Sequence, residues 1–465
     1  MHKNLLTDPI SPTLARLAAP NIIAMFIMLA TSMAEAFYIG QLGTAPLAGL
    51  ALAFPMIMLT MMMAGGSFGG AIAGAVAQQL GAGNRDGAES VALHAFILTI
   101  GFSVLFSWLF LSFGATIYST LGGKDGVLKE ALAYSDLFFS GCMAIWLANV
   151  FNAVIRGTGQ MNVAAGAMAL GSIIQILVSA VFVFGIGPFP ALGIAGAAVG
   201  SIVGFTVAGL LQLWFLMRTS AVLQLRFNGI SIQASAFLDI LKVGSMASVS
   251  PLSSVLTVII ITSMMARLGV DVLAGYGIGA RLEFLMIPLI FGIGSASITM
   301  VGTHFGAGKY QRGVKIGWIS SFYAAALAGS MGLILSLFPS LWANLFTDVE
   351  TVRAACRSYL QIVGPFYAFF GLGLCLYFAS QGARRLLWPV MGAFARLLVV
   401  AFGGWYLSNQ PNASAEDFFV LICIAMATYG LVTAAVVYLG AWTQGLNLKA
   451  ERTSPEINDL ADANP

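Results

Sequence analysis

The chain has 465 residues, 59% of them hydrophobic and only 8% charged, with a formal net charge of +3. An ordinary soluble domain carries about 25% charged residues, so a water-soluble fold of this size is excluded and the surplus apolar surface must face lipid. With so few charges and no basic face outside short loops, nucleic-acid binding has no support either.

Twelve apolar runs follow in order, each long enough to cross roughly 30 Å of hydrocarbon as a helix. None shows the alternation of a β-barrel strand, so the predicted fold class is an all-α polytopic membrane protein. The first six runs are Leu14–Ile39, Ala45–Gln79, Val91–Ile117, Leu132–Val154, Val163–Ile186 and Leu192–Met217. The second six are Ile240–Ala266, Val272–Val301, Val314–Leu337, Tyr359–Ala379, Leu386–Leu407 and Phe418–Trp442. Pro9, Pro12 and Pro20, with no small-residue cleavage site, predict a retained first helix rather than a signal peptide. The second and eighth runs are long enough to tilt or bend. Pro20, Pro55, Pro251 and Pro288 lie in the first two runs of each half. Proline there can interrupt a helix and free backbone carbonyls, although it is also common in membrane helices generally. Cys142, Cys356, Cys375 and Cys423 lack C-x-x-C spacing and read as packing residues.

With the N-terminus placed inside, fourteen of the 21 Lys and Arg fall on that side. Lys124, Lys129, Arg267, Arg353 and Arg357 fall on the other, and Arg281 and Arg396 lie within runs. The positive-inside rule then predicts two cytoplasmic termini in the inner membrane.

The chain also repeats itself. Gly81-Ala82-Gly83 recurs as Gly306-Ala307-Gly308, Tyr134 as Tyr359 and Gly157 as Gly382, each 225 residues on. Leu42-Gly43 and Leu47-Ala48-Gly49 recur as Leu268-Gly269 and Leu273-Ala274-Gly275, 226 residues on. Each unit holds six runs, an even number, so both halves enter the membrane in the same direction about an axis along its normal. The predicted division is an N-terminal lobe over 1–217, a cytoplasmic linker over 218–238, a C-terminal lobe over 239–445 and a polar, disordered tail over 446–465. Such halves suit a rocking transporter and also a static pore.

Several segments, taken together, resemble the multidrug and toxic compound extrusion (MATE) family. They are Gln78-Gln79-Leu80-Gly81-Ala82-Gly83-Asn84 and its partner His304-Phe305-Gly306-Ala307-Gly308-Lys309, then Arg156-Gly157-Thr158-Gly159-Gln160, Leu192-Gly193-Ile194-Ala195-Gly196-Ala197-Ala198 and Tyr276-Gly277-Ile278-Gly279-Ala280-Arg281. The likeness spans roughly residues 14 to 445. It implies two six-helix bundles around a central cavity. It also implies a monomer without cofactor, exporting cationic or amphipathic organic compounds in exchange for H⁺ or Na⁺.

Of 18 acidic residues, only Glu35 and Glu283 lie well inside apolar runs. A carboxylate in the bilayer costs several kcal/mol, so each needs a partner, a proton or a function. Thr31 and Ser32 share a helical face with Glu35. Ser172, Gln175 and Ser179 make a polar stripe on the fifth helix, and Asn149 and Asn152 another on the fourth. If the stripes converge they form an ion-coupling pocket; otherwise Glu35 is merely solvated near the outer interface. In the resembled family this place usually holds an aspartate that binds the coupling ion, with Asn and Asp on the fifth helix where this chain has Gln175 and Ser179. The second carboxylate of that site is missing, so the expected ion is H⁺, with Na⁺ at Glu35 the alternative.

Arg281 is two residues from Glu283 and cannot face it. Arg396 is the expected cross-helix partner, as a salt bridge or a gate. Met61, Met62 and Phe54 are candidates for cavity lining, with lipid-facing packing the alternative. His94 and His304 read as ordinary polar contacts, and three histidines in all give no metal site. The rival readings are a lipid-linked precursor flippase of the same superfamily, a membrane-embedded enzyme and a passive channel. No clustered nucleophile, metal ligands or acid–base pair supports the enzyme.

Overall fold

In lipid every backbone N–H and C=O must be paired within its own segment, which leaves the helix as the solution for a chain of apolar runs. The computed structural model describes residues 2–218, 222–225 and 232–446. It contains all twelve expected helices. They are α1 (Ile10–Gln41), α2 (Thr44–Gly81), α3 (Arg85–Thr120), α4 (Asp125–Ser140 and Cys142–Gly157), α5 (Met161–Phe184) and α6 (Ile194–Arg218). Then come α7 (Ala234–Arg267), α8 (Val270–Gly306), α9 (Tyr310–Leu337), α10 (Glu350–Ala383), α11 (Leu387–Ser408) and α12 (Ala415–Tyr438). The expected polar tail from 447 onward, and residues 219–221 and 226–231 of the expected linker, lie outside the described residues.

Local geometry departs from the sequence reading at four places. The two parts of α4 meet at 54°, and the matching point of α10 carries a 3₁₀ turn at Gly364–Phe366. α7 starts at Ala234, inside the stretch expected to be linker. None of the four prolines ends its helix. The interruption of α2 is instead a π-helical turn at Met62–Phe68, over the pair Gly65-Gly66. Two glycines without side chains let the backbone widen there, whereas the prolines sit where the helix can spare one hydrogen bond.

The repeat is visible as packing. A Cβ on Gly81 would overlap the Thr303 carbonyl of α8, and one on Gly306 would overlap the Gln78 carbonyl of α2. Each helix thus uses its glycine to meet the other's backbone. Within the halves, Gly157 of α4 meets the Ala73 carbonyl and Gly382 of α10 meets the Ile298 carbonyl. At the opposite end Gly49 packs on Glu130 and Ala131, and Gly275 on Ala355 and Cys356. Every one of these contacts recurs at the repeat spacing.

One apolar core fills the first half, around Trp146, Phe138 and Phe139. A second fills the second half and takes in Leu5, Leu14, Leu17 and Ala18 from the start of the chain. A third straddles the two, from Ile72 and Val154 to Ile298 and Phe378. Polar ties follow it: Asn21 Nδ2 donates to Ser295 Oγ at 2.7 Å, Gln78 Nε2 to the Gly382 carbonyl at 2.9 Å and Thr299 Oγ1 to the Arg156 carbonyl at 2.9 Å. Arg312 donates to the Asp8 carbonyl at 2.6 Å. The halves are joined at the end that carries Gly81 and Gly306. All four cysteines are free and buried, as expected of packing residues.

Gly306→Ala should destabilise the protein by about 1–3 kcal/mol through overpacking. Gly166→Ala, whose Cβ would meet nothing within 4 Å, should have no effect. Thermal unfolding in detergent checks this, and equal melting of the two variants would remove the crossing from its structural role.

Candidate functional site

Gly196, Gly200 and Gly204 recur every four residues along one face of α6. Small residues at that spacing let a neighbouring membrane helix approach closely. A Cβ on Gly196 would meet the backbone of Phe182 and Val183, one on Gly200 would meet Ser179, and one on Gly204 would meet Gln175 and the Gly171 carbonyl. α5 therefore lies almost backbone to backbone on α6. That approach gathers Gln175 and Ser179 of α5 with Ser201 of α6, and α1 lays Glu35 across them. Thr31 docks α1 on α5: its hydroxyl donates to the Ile27 carbonyl at 2.9 Å and reaches the Ser172 carbonyl at 3.5 Å.

Glu35 is only 9% exposed. Its Oε1 accepts from Gln175 Nε2 at 2.8 Å, Ser179 Oγ at 3.2 Å and Ser201 Oγ at 3.3 Å. Gln175 Nε2 also lies 3.0 Å from Ser201 Oγ. Tyr134, wholly enclosed, is near enough for the Glu35 charge to act on it. No ion pair among the described residues includes Glu35. Three neutral donors on one oxygen can steady a carboxylate, but they do not cancel its charge. Among the described residues no group of three or more His, Cys, Asp or Glu could hold a metal ion.

The structure thus brings Gln175 and Ser179 to Glu35, and it leaves the other expected residues elsewhere. Ser32 is exposed, on a different face from Glu35. Asn149 donates to the Ile145 carbonyl at 2.8 Å and turns its Oδ1 towards Gly65, while Asn152 donates to the Ala164 carbonyl at 3.0 Å. Each asparagine satisfies a backbone group rather than the carboxylate. Ser201 went unread, although the glycine spacing beside it marks the helix that α5 must touch.

Glu283 also departs from expectation. It accepts from Tyr359 Oη at 3.3 Å, and that hydroxyl lies 3.1 Å from Tyr367 Oη. Arg396 forms no ion pair with it. The guanidinium stands 5.4 Å from the Phe370 ring centre, drawn to the negative face of the ring, and acts on Glu283 only through space. Arg281 is exposed and covers the Phe346 ring at 5.4 Å, so it does not face Glu283. Met61 packs on the core of the first half, Met62 opens the π turn and Phe54 is 41% exposed. His94 and His304 bond to backbone carbonyls four residues before them, at 2.7 and 2.8 Å. His94 Nε2 also accepts from the Gln233 amide at 3.0 Å, which ties the end of the linker to α3.

The MatE family model matches residues 20–211 and 246–407. Among curated proteins, an FAD transporter of Shewanella oneidensis is 27% identical over 376 residues, covering 81% of this chain and 82% of its own. A probable multidrug resistance protein NorM of Thermotoga maritima is 26% identical over 400 residues, covering 84% of each chain. Among solved structures, a MATE protein in the straight conformation superimposes with a TM-score of 0.84 at 24% identity, covering 94% of this chain and 97% of its own. An outward-facing MATE family transporter superimposes at 0.83 and 23%, covering 94% and 96%. At these identities the structures speak for the fold.

Because Glu283 has a hydroxyl donor and no salt bridge, Glu283→Gln should fold: the amide oxygen can accept from Tyr359 in its place. Its stability should fall by less than about 1 kcal/mol. Thermal unfolding checks this, and a collapse in folded yield would show that the charge itself is structural.

Proposed function

The chain belongs to the MatE family, and from that premise we propose that it is a secondary active exporter that takes up H⁺ at Glu35. The observation that carries this reading is the pocket itself: a buried carboxyl with three convergent donors and no counter-ion among the described residues. A charge in such a place is discharged by a proton or a cation. Na⁺ asks for several oxygens arranged around it, whereas protonation asks for one carboxyl. Gln175, Ser179 and Ser201 turn donors rather than oxygen lone pairs towards Glu35, which suits an ionised carboxylate better than a Na⁺ cage, and it is the burial of that charge that calls for a proton.

The reading extends to a cycle. Protonation of Glu35 weakens the hold of α5 and α6 on α1, because a neutral carboxyl draws donors less strongly than a carboxylate. α1 runs from that pocket to the joined end, where Asn21 bonds to Ser295 of α8. A change at Glu35 therefore has a rigid element through which to bias the contact between the halves. We infer two lobes, one per repeat, that alternate access for cationic or amphipathic organic compounds, in keeping with the names of the multidrug relatives. The protein acts as a monomer in the inner membrane, with both termini and the Gly81 and Gly306 loops cytoplasmic.

In vesicles holding a pH gradient, Glu35→Gln should abolish gradient-driven efflux, Glu35→Asp should keep part of it, and Ser201→Ala should slow it several-fold by removing one of three donors. Efflux by Glu35→Gln at the wild-type rate would sink the assignment. A Na⁺ gradient at constant pH that alone drives transport would replace the ion.

For the topology, cysteines placed at Asn84 and Lys309 in a cysteine-free background should resist an impermeant thiol reagent applied outside whole cells. Ready labelling of either overturns the orientation.

A further inference from the structure

Arg156 sits in the last turn of α4, one residue before Gly157. Its repeat counterpart is Gln381, one residue before Gly382 in α10. Arg156 falls beyond the fourth apolar run, yet it is 2% exposed, and Gln381 is 0% exposed. Arg156 Nη2 reaches the Gly65 carbonyl of the π turn at 3.3 Å, and the guanidinium stands 5.2 Å from the Phe291 ring centre of α8. Its own carbonyl accepts from Thr299 Oγ1 of α8. Nε and Nη1 have no hydrogen-bond partner among the described residues. No ion pair among the described residues includes Arg156.

We propose that Arg156 is the gating residue of the joined end: a buried cation without a counter-ion among the described residues, whose hydration favours separation of the halves. The groups that enclose it come from both sides, α2 from the first half and α8 from the second. A lone buried charge is unfavourable unless paired or hydrated. When α8 moves away it takes the Phe291 ring with it, and water reaches the two idle nitrogens. The joined state therefore carries a bias towards opening. Gln381 is packed on Gly70 beside Tyr377, and because its amide is neutral it brings a smaller bias than a buried charge. The repeat thus builds a seam with one charged flank and one uncharged flank. Arg156 is a positioning residue on this account and need touch no substrate.

The proposal rests on the exporter reading only in supposing that the joined end opens, so it is tested without substrate or gradient. Spin labels at Asn84 and Lys309 report the distance between the two ends in lipid vesicles. Arg156→Gln should reduce the open-to-joined ratio at least ten-fold and raise the melting temperature. Arg156→Lys should stay near wild type, since an ammonium also seeks water. Phe291→Leu should raise the open fraction. An unchanged ratio in Arg156→Gln overturns the proposal, and so does a shift to longer distances, which would make Arg156 a clasp. Should Arg156→Gln not fold, an unchanged distance in Phe291→Leu overturns it instead. Failure of Glu35 coupling would leave these distances readable and would count against the proton assignment alone.

Discussion

Two helices in hydrocarbon gain little by hiding apolar side chains from one another, because lipid tails are as apolar as leucine. What draws them together is close approach of backbones, dispersion between well-fitted surfaces, and polar groups that have nowhere else to bond. Glycine makes that approach possible here. Gly81 and Gly306 let α2 and α8 cross at one end, and Gly196, Gly200 and Gly204 let α5 lie on α6. The first contact joins the halves. The second assembles the carboxylate pocket, since without it Gln175, Ser179 and Ser201 would not converge on one oxygen.

The duplicated scaffold carries unequal chemistry. Tyr134 and Tyr359 are repeat mates, and each stands by a carboxyl within the helices, the buried Glu35 in one half and the partly buried Glu283 in the other. The carboxyls themselves come from non-equivalent helices, α1 and α8. Glu35 receives three donors, whereas Glu283 receives one tyrosine. The tight backbone contacts repeat because they depend only on where glycine falls. The charged side chains do not repeat, because each can be replaced without disturbing that frame. Arg384 illustrates the same freedom: it holds a left-handed turn at φ 56° where its mate is Gly159 at φ 81°, and its guanidinium is anchored near Asp239.

Much of this was legible in the sequence, and the reasons differ by level. Lipid permits few solutions, so twelve apolar runs translate directly into twelve helices. Glu35 stood out because a carboxylate in such a run is rare, and Gln175 and Ser179 because their spacing puts them on one face. Spacing cannot say which way that face turns, and the same argument misplaced Asn149 and Asn152, which bond to backbone carbonyls instead. Ser201 is one serine among apolar neighbours, and only the glycines around it give it weight. The partner of Glu283 was chosen by elimination among charges, which overlooks that an aromatic face competes for an arginine. The π turn at Met62–Phe68 is a shift of one hydrogen bond, decided by tertiary packing. Arg156 beside a glycine looks like a loop until the helices are assembled around it.

Leu14, Leu17 and Ala18 of α1 are buried in the core of the second half, with Leu5 ahead of them. On the ribosome these residues emerge before the surfaces that receive them on α8, which follow roughly 250 residues later, tens of seconds at ordinary synthesis rates. Until then the start of α1 has only lipid or a chaperone to lie against. The first six helices can insert and pair among themselves, but their opening helix is left half-docked. Docking of α1 is therefore completed only when α8 has been made, and a chain truncated after the sixth helix would present an unfilled flank to the cell's quality control.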